Sequence, residues 1–188
     1  LATCKGAGGS SGTAHGSTKL ARLALAVLLA IGAVPMALAG QTDCTGASAS
    51  GDNAVACGSG ANASGAYASA FGFNSEASGL DSAALGFDSV ASGEKAVAVG
   101  YVAVATGAFG TALGNNAHAT GDFSSAVGRN ANASGYRSSA MGYQAYASAD
   151  YGTAIGTGAT ASGYNSSAFG HDAQATGDNS TALGSNSS

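Results

Sequence analysis

The stretch Gly107–Thr120 reads GAFGTALGNNAHAT, and Gly121–Ser134, GDFSSAVGRNANAS, repeats it in register. The same fourteen-residue unit runs without insertion from Gly51 to Thr176, nine times in all, and a tenth copy, GDNSTALGSNSS, ends at Ser188. With positions numbered 1 to 14 within a unit, position 6 is Ala and position 8 is Gly in all ten copies. Position 13 is Ala in all nine full copies, and position 1 is Gly except at Ala149. A short, fixed period is the mark of a solenoid, in which each repeat buries its face only against its neighbours. Glycine about every seven residues, with short alternating runs between, reads as strands joined by tight turns. A corner glycine suggests a backbone that needs positive φ or close approach.

Alternation along each strand assigns the faces. If the Ala at position 6 points inward, so does position 4, which is only ever Ala, Ser or Gly; on the second strand, positions 11 and 13 are only Ala or Ser. Such small side chains imply two sheets much closer than the roughly 10 Å of an ordinary sandwich. Position 7 then points outward, yet it is always apolar: Cys57, Phe71, Leu85, Val99, Leu113, Val127, Met141, Ile155, Phe169 and Leu183. Stacked coils would join these into one stripe larger than the few hundred Å² that soluble monomers expose, so the stripe is expected to be an oligomer interface. Position 12 varies without pattern, as a solvent-facing column would.

The unit Ser-x-Ala-apolar-Gly-x-x-Ala-x-Ala-Ser/Thr-Gly resembles the head repeat of trimeric autotransporter adhesins, the YadA-like family. The resemblance covers nearly all of the chain after the leader. It implies an all-β, left-handed parallel β-roll, with three rolls joined in a homotrimer through the apolar outer face, here Phe71, Leu85, Val99, Leu113, Val127, Met141, Ile155, Phe169 and Leu183. It also implies binding to host matrix proteins such as collagen, fibronectin or laminin, or to other cells. Ten coils at roughly 4.8 Å each would give a rod about 50 Å long.

Residues 1–39 are expected to be an unstructured leader and 40–188 the β-roll head. The chain begins at Leu1 rather than Met, which reads as a fragment or a translated region upstream of the true start. Lys19 and Arg22, the apolar run Leu23–Val34 and Ala37-Leu38-Ala39 form a secretory signal peptide over about 19–39. Gln41 stands where a lipoprotein would carry its lipidated Cys, so lipidation is not expected. Neither heptads nor membrane strands follow the repeats. The chain is therefore expected to be secreted, and to reach the bacterial outer membrane only if a C-terminal anchor exists beyond Ser188.

Thirty-one Gly, one Pro, no Trp and 9% charged residues do not describe a conventional globular core. They raise low-complexity disorder, against which the exact register and the constant apolar position both argue. Residues 40–188 hold three basic and ten acidic residues, net −7. That sign does not suit nucleic acid, heparin or an anionic membrane as main partner. In an exported chain Cys44 and Cys57 could bridge adjacent coils and cap the open end; the alternative is that Cys57 fills an interface slot as a small hydrophobe.

No catalytic, cofactor or metal site is expected. His118 and His171 lie almost four coils apart, and His171 beside Asp172 is read as a dipeptide with side chains on opposite faces. Asp81, Asp88, Asp122 and Asp178 are read as scattered turn residues, and no serine has a plausible base. Positions 2, 3 and 9 hold most aromatics: Tyr67, Phe73, Phe87, Tyr101, Phe109, Phe123, Tyr136, Tyr143, Tyr151 and Tyr164. They either brace the coils by stacking or offer ligand anchors, with Phe73, Phe87, Tyr101 and Tyr143 taken as the candidate ligand surface. The function expected is that of an adhesin head. The alternatives are a passive spacer or fibre segment that presents another domain, and an ice- or surface-binding solenoid, which would need a flatter, Thr-rich face.

Overall fold

The computed structural model describes residues 44–188. The expected signal peptide at 19–39, the rest of the leader and Gln41 lie outside the described residues. Each coil supplies a three-residue strand over positions 5–7 and a two-residue strand over positions 12–13. The order begins β1 (Ser48–Ala49), β2 (Val55–Cys57), β3 (Asn62–Ala63), β4 (Ser69–Phe71) and ends β19 (Gln174–Ala175), β20 (Thr181–Leu183). Odd-numbered strands form one ten-stranded parallel sheet and even-numbered strands a second. Register is fixed at one repeat. Thr111, Ala112 and Leu113 pair with Ser125, Ala126 and Val127, while His118 and Ala119 pair with Asn132 and Ala133. The fold is the parallel β-solenoid that the period implied, and each position in the repeat becomes a column in space.

The core follows the alternation. Positions 4, 6, 11 and 13 point inward, and away from the ends their alanines are completely buried. The largest fully buried side chains are serines: Ser75, Ser82, Ser89, Ser124, Ser138 and Ser166. The two serine columns differ. Ser75 and Ser89, at position 11, donate from Oγ to the carbonyls of Gly72 and Gly86 at 3.1 and 3.2 Å. At position 4, the hydroxyls of Ser82, Ser124, Ser138, Ser166 and Ser180 have no hydrogen-bond partner among the described residues. Each such buried hydroxyl forgoes its water without replacement, at a cost of about 1–3 kcal/mol.

The corners are β-turns. The position 4 N–H donates to the position 1 carbonyl (Ala96 to Gly93, 3.2 Å), and the position 11 N–H to that of position 8 (Ala131 to Gly128, 3.3 Å). The third residue of each turn, position 3 or 10, is left-handed, where type II turns favour Gly or Asn. Position 10 meets this with Asn74, Asp88, Asn116, Asn130, Asp172, Asn186 and two glycines, but also carries Val102 at φ 53°. Position 3 places Tyr67, Phe109, Phe123 and Tyr151 at φ 58–60°. The corner glycines serve two purposes. Position 8 has φ of 118–139°, and a Cβ on Gly128 would lie 2.5 Å from the carbonyl oxygen of Gly142. At position 1 φ is not positive, and close approach alone selects glycine: except at Gly177 in the last coil, a Cβ there would run into the position 1 carbonyl of the next coil. Ala149 nevertheless occupies that slot, and it is less buried than Gly135 and Gly163 on either side.

Inter-coil hydrogen bonds continue through the corners. Position 8 N–H groups reach the position 7 carbonyl of the preceding coil (Gly128 to Leu113, 2.8 Å), and those of position 10 reach position 9 (Asn130 to Asn115, 2.9 Å). At the N-terminal end a disulfide joins Cys44, in the half coil before the first repeat, to Cys57, with Cα atoms 4.4 Å apart. It ties the first half coil to the first full coil.

Three substitutions test this backbone in chemical unfolding. Val102→Asn is expected to stabilise by about 1 kcal/mol, because a β-branched residue in the left-handed region costs that much more than Asn. Gly128→Ala is expected to destabilise by about 2 kcal/mol or more, from backbone strain alone. Ser124→Ala is expected to be neutral or to stabilise by up to about 1 kcal/mol, because an unpartnered hydroxyl is removed from a slot that Ala68 and Ala96 already fill.

Candidate functional site

Three columns on the outside of the coil carry large side chains in contact from coil to coil; position 12 also exposes Glu76, Tyr146 and Gln174, but in no continuous run. The first is position 7. Phe71, Leu85, Leu113, Met141, Ile155 and Leu183 are exposed, while Val99, Val127 and Phe169 are half-buried. Their register is direct, with Cys57 against Phe71, Leu85 against Val99 and Phe169 against Leu183 on successive coils. No described segment covers them. On the same outer face, position 5 carries only small or β-branched residues, such as Ser69, Ala83, Val97 and Thr111. The face is therefore a ridge of large apolar side chains beside a shallow column, a shape suited to packing against other copies.

The second column is position 9, on the turn that follows position 7. Phe73 and Phe87 stack with centroids 5.2 Å apart, as do Phe87 and Tyr101. Further along, the guanidinium of Arg129 lies 5.6 Å from the ring centre of Tyr143. All four aromatics expected as the ligand surface are exposed, and each has a stacking or cation–π neighbour within its own chain. In the parallel stack the faces of the rings are spent on one another, so mostly edges meet solvent.

The third feature lies on the opposite turn, at positions 2 and 3. Phe109 stacks on Phe123 at 4.9 Å; Phe123, Tyr136, Tyr151 and Tyr164 then meet edge to face at 5.6–5.8 Å. Cations lie over this ladder: Lys95 5.1 Å from the Phe109 centroid, and Arg137 5.5 and 5.2 Å from those of Phe123 and Tyr136. Acidic residues interleave with it. The carboxylate Oδ1 of Asp122 accepts from the Ala108 N–H, that of Asp150 from Tyr136 and that of Asp178 from Tyr164, each at 2.9 Å. Asp122 and Asp178 are therefore not scattered. With Asp150 they recur on alternate coils in one column, a pattern visible only when the repeats are stacked.

The histidines stand apart from the aromatic contacts: His118 lies at position 12, and His171 near the C-terminal end of the position 9 column. His118 Nε2 lies 3.1 Å from Asn116 Oδ1. His171 Nδ1 is 3.2 Å from Asp172 Oδ2, with both side chains exposed. The expectation of opposite faces fails here because the pair occupies a turn, where strand alternation does not hold. Among the described residues no group of three or more His, Cys, Asp or Glu side chains is placed to hold a metal ion.

A family described as "YadA head domain repeat (2 copies)" matches residues 46–75, 77–103, 105–131, 133–159 and 161–187. No curated protein matches the chain. Among solved structures, the collagen-binding domain of the Yersinia adhesin YadA is similar: 29% identical, TM-score 0.60, covering 66% of this chain and 69% of that one.

Proposed function

The chain belongs to the family of YadA head repeats, and from that premise we propose that it is the head of a trimeric surface adhesin, attaching bacteria to host matrix proteins. An adhesin-like role follows from the family, whose solenoid is structural rather than enzymatic in kind. The finer reading is a homotrimer joined through the position 7 stripe, held at the cell surface, with a ligand of the collagen class. Fibronectin and laminin are the other matrix candidates.

The observation that carries this reading is the stripe itself. A chain whose core is alanine and serine buries little apolar area, yet it sets Phe71, Leu85, Leu113, Met141 and Ile155 on its outside in one line. Their burial against two further copies supplies the hydrophobic stabilisation that the core lacks, at about 1.5–3 kcal/mol per large side chain. Three copies also multiply each weak ligand contact through effective concentration. The similarity to a collagen-binding domain supports the choice of ligand class.

Binding of the purified chain to immobilised collagen, fibronectin and laminin tests the reading, beside a Leu113→Asp/Val127→Asp variant. The wild type is expected to bind at least one of the three. The variant is expected to lose assembly and, with it, at least about 100-fold in apparent affinity. A wild type that assembles and binds none of them would favour the passive spacer.

A further inference from the structure

Position 2 over coils six to ten reads Asp122, Tyr136, Asp150, Tyr164, Asp178, a strict alternation of carboxylate and phenol along the solenoid axis. The three carboxylates are held in place, since each already accepts a backbone N–H from the coil before it at 2.9 Å. One carboxylate oxygen of each remains to meet a ligand. Between them the rings of Tyr136, Tyr151 and Tyr164 meet edge to face; Arg137 lies over the half-buried Tyr136, so the surface for a ligand is that of the other two. Tyr151 and Tyr164 are exposed.

The spacing selects a partner. Parallel strands lie about 4.8 Å apart, so carboxylates on alternate coils recur every 9.6 Å or so. A polyproline II strand rises about 3.1 Å per residue and recurs every three residues, or about 9.3 Å. Over the two intervals from Asp122 to Asp178 the mismatch is roughly 0.6 Å, within the reach of a flexible Arg or Lys side chain. Exposed aromatic rings are also the surface on which such proline-rich strands dock, at little entropic cost because the ligand is already extended. Resting on the adhesin reading, we propose that this column is the ligand track of the head. It takes an extended polyproline-type strand, laid along the solenoid axis, with a basic side chain at every third residue. The prolines lie on the tyrosine rings and the basic groups meet Asp122, Asp150 and Asp178.

The chain order places this track away from assembly. Position 9 directly follows the position 7 stripe, so the Phe73–Phe87–Tyr101 stack borders the interface. Positions 2 and 3 sit on the other turn, beyond position 5. Substitutions in the track are therefore expected to change binding and not oligomeric state.

Fluorescence anisotropy with the full chain and labelled synthetic peptides tests the proposal. The probes are (Pro-Pro-Arg)6, an isomer of the same composition with its arginines in one block, and (Pro-Pro-Glu)6. The periodic basic peptide is expected to bind at least tenfold tighter than its blocked isomer, to weaken with added salt, and to beat the acidic peptide by more. Asp122→Asn/Asp150→Asn/Asp178→Asn retains an acceptor for each backbone N–H and is expected to lose at least tenfold. Tyr151→Ala/Tyr164→Ala is expected to lose a similar factor, and Phe87→Ala to lose none. Equal binding of the periodic and blocked peptides, or indifference to the Asn substitutions in a chain of unchanged circular dichroism, would overturn the proposal. If matrix proteins are bound but the track variants bind them normally, the track fails and the adhesin reading stands. If the peptide pattern holds while no matrix protein binds, the matrix reading fails and the track stands.

Discussion

The two sheets approach so closely that only Ala, Ser and Gly side chains fit between them, and the rest of the molecule follows from that contact. A methyl group is the largest apolar unit the interior accepts, so each buried residue contributes a fraction of what a buried Leu or Phe would. Cohesion within one chain comes instead from hydrogen bonds carried from coil to coil, through the strands and the corners alike. A structure of this kind is stable as a sum over neighbouring coils and has weak ends. The Cys44–Cys57 disulfide lies at one of those ends. The larger apolar residues have nowhere to go but out, and at position 7 they form a line that a single chain leaves in water.

Because the register never slips, chemistry in this fold is written in columns. A residue matters less by its neighbours in sequence than by what stands fourteen residues before and after it. The ladder from Phe109 to Tyr164 shows this: it moves between positions 3 and 2 from coil to coil without losing contact. Asn ladders follow the same rule, with Asn116 donating to Asn130 and Asn165 to Asn179, each at 3.0 Å. Strict repetition also lets one unusual residue stand out. Val102 in a left-handed turn position and Ala149 in a glycine slot are local conflicts that the adjoining coils tolerate.

Much of this was legible in the sequence, for a physical reason. Alternation in a strand has a period of two, so the inward columns at positions 4, 6, 11 and 13 and the outward one at 7 could be read from residue size alone. The corners were less legible. Left-handed backbone at position 10 has a signature in its Asn, Asp and Gly residues; position 3 shows it at Asn53, Asp81, Asn165 and Asn179 but hides it behind Tyr67, Phe109 and Phe123, whose side chains ordinarily argue against that conformation. His171 and Asp172 depart from strand alternation because both lie in a turn, where consecutive side chains can meet. The alternation of Asp122, Tyr136, Asp150, Tyr164 and Asp178 is hidden along the chain, because the five residues stand fourteen apart and align only when the coils stack. The hydrogen bonds that each carboxylate accepts from the preceding coil leave no mark in the sequence.

The claim on which the account turns is that the outward stripe from Phe71 to Leu183 is buried against other copies of the same chain. The molar mass of the purified chain by light scattering, with circular dichroism on the same sample, tests it most directly. A β-rich species of three times the chain mass is the result the account requires. A β-rich monomer, stable and soluble with its stripe in water, would contradict it.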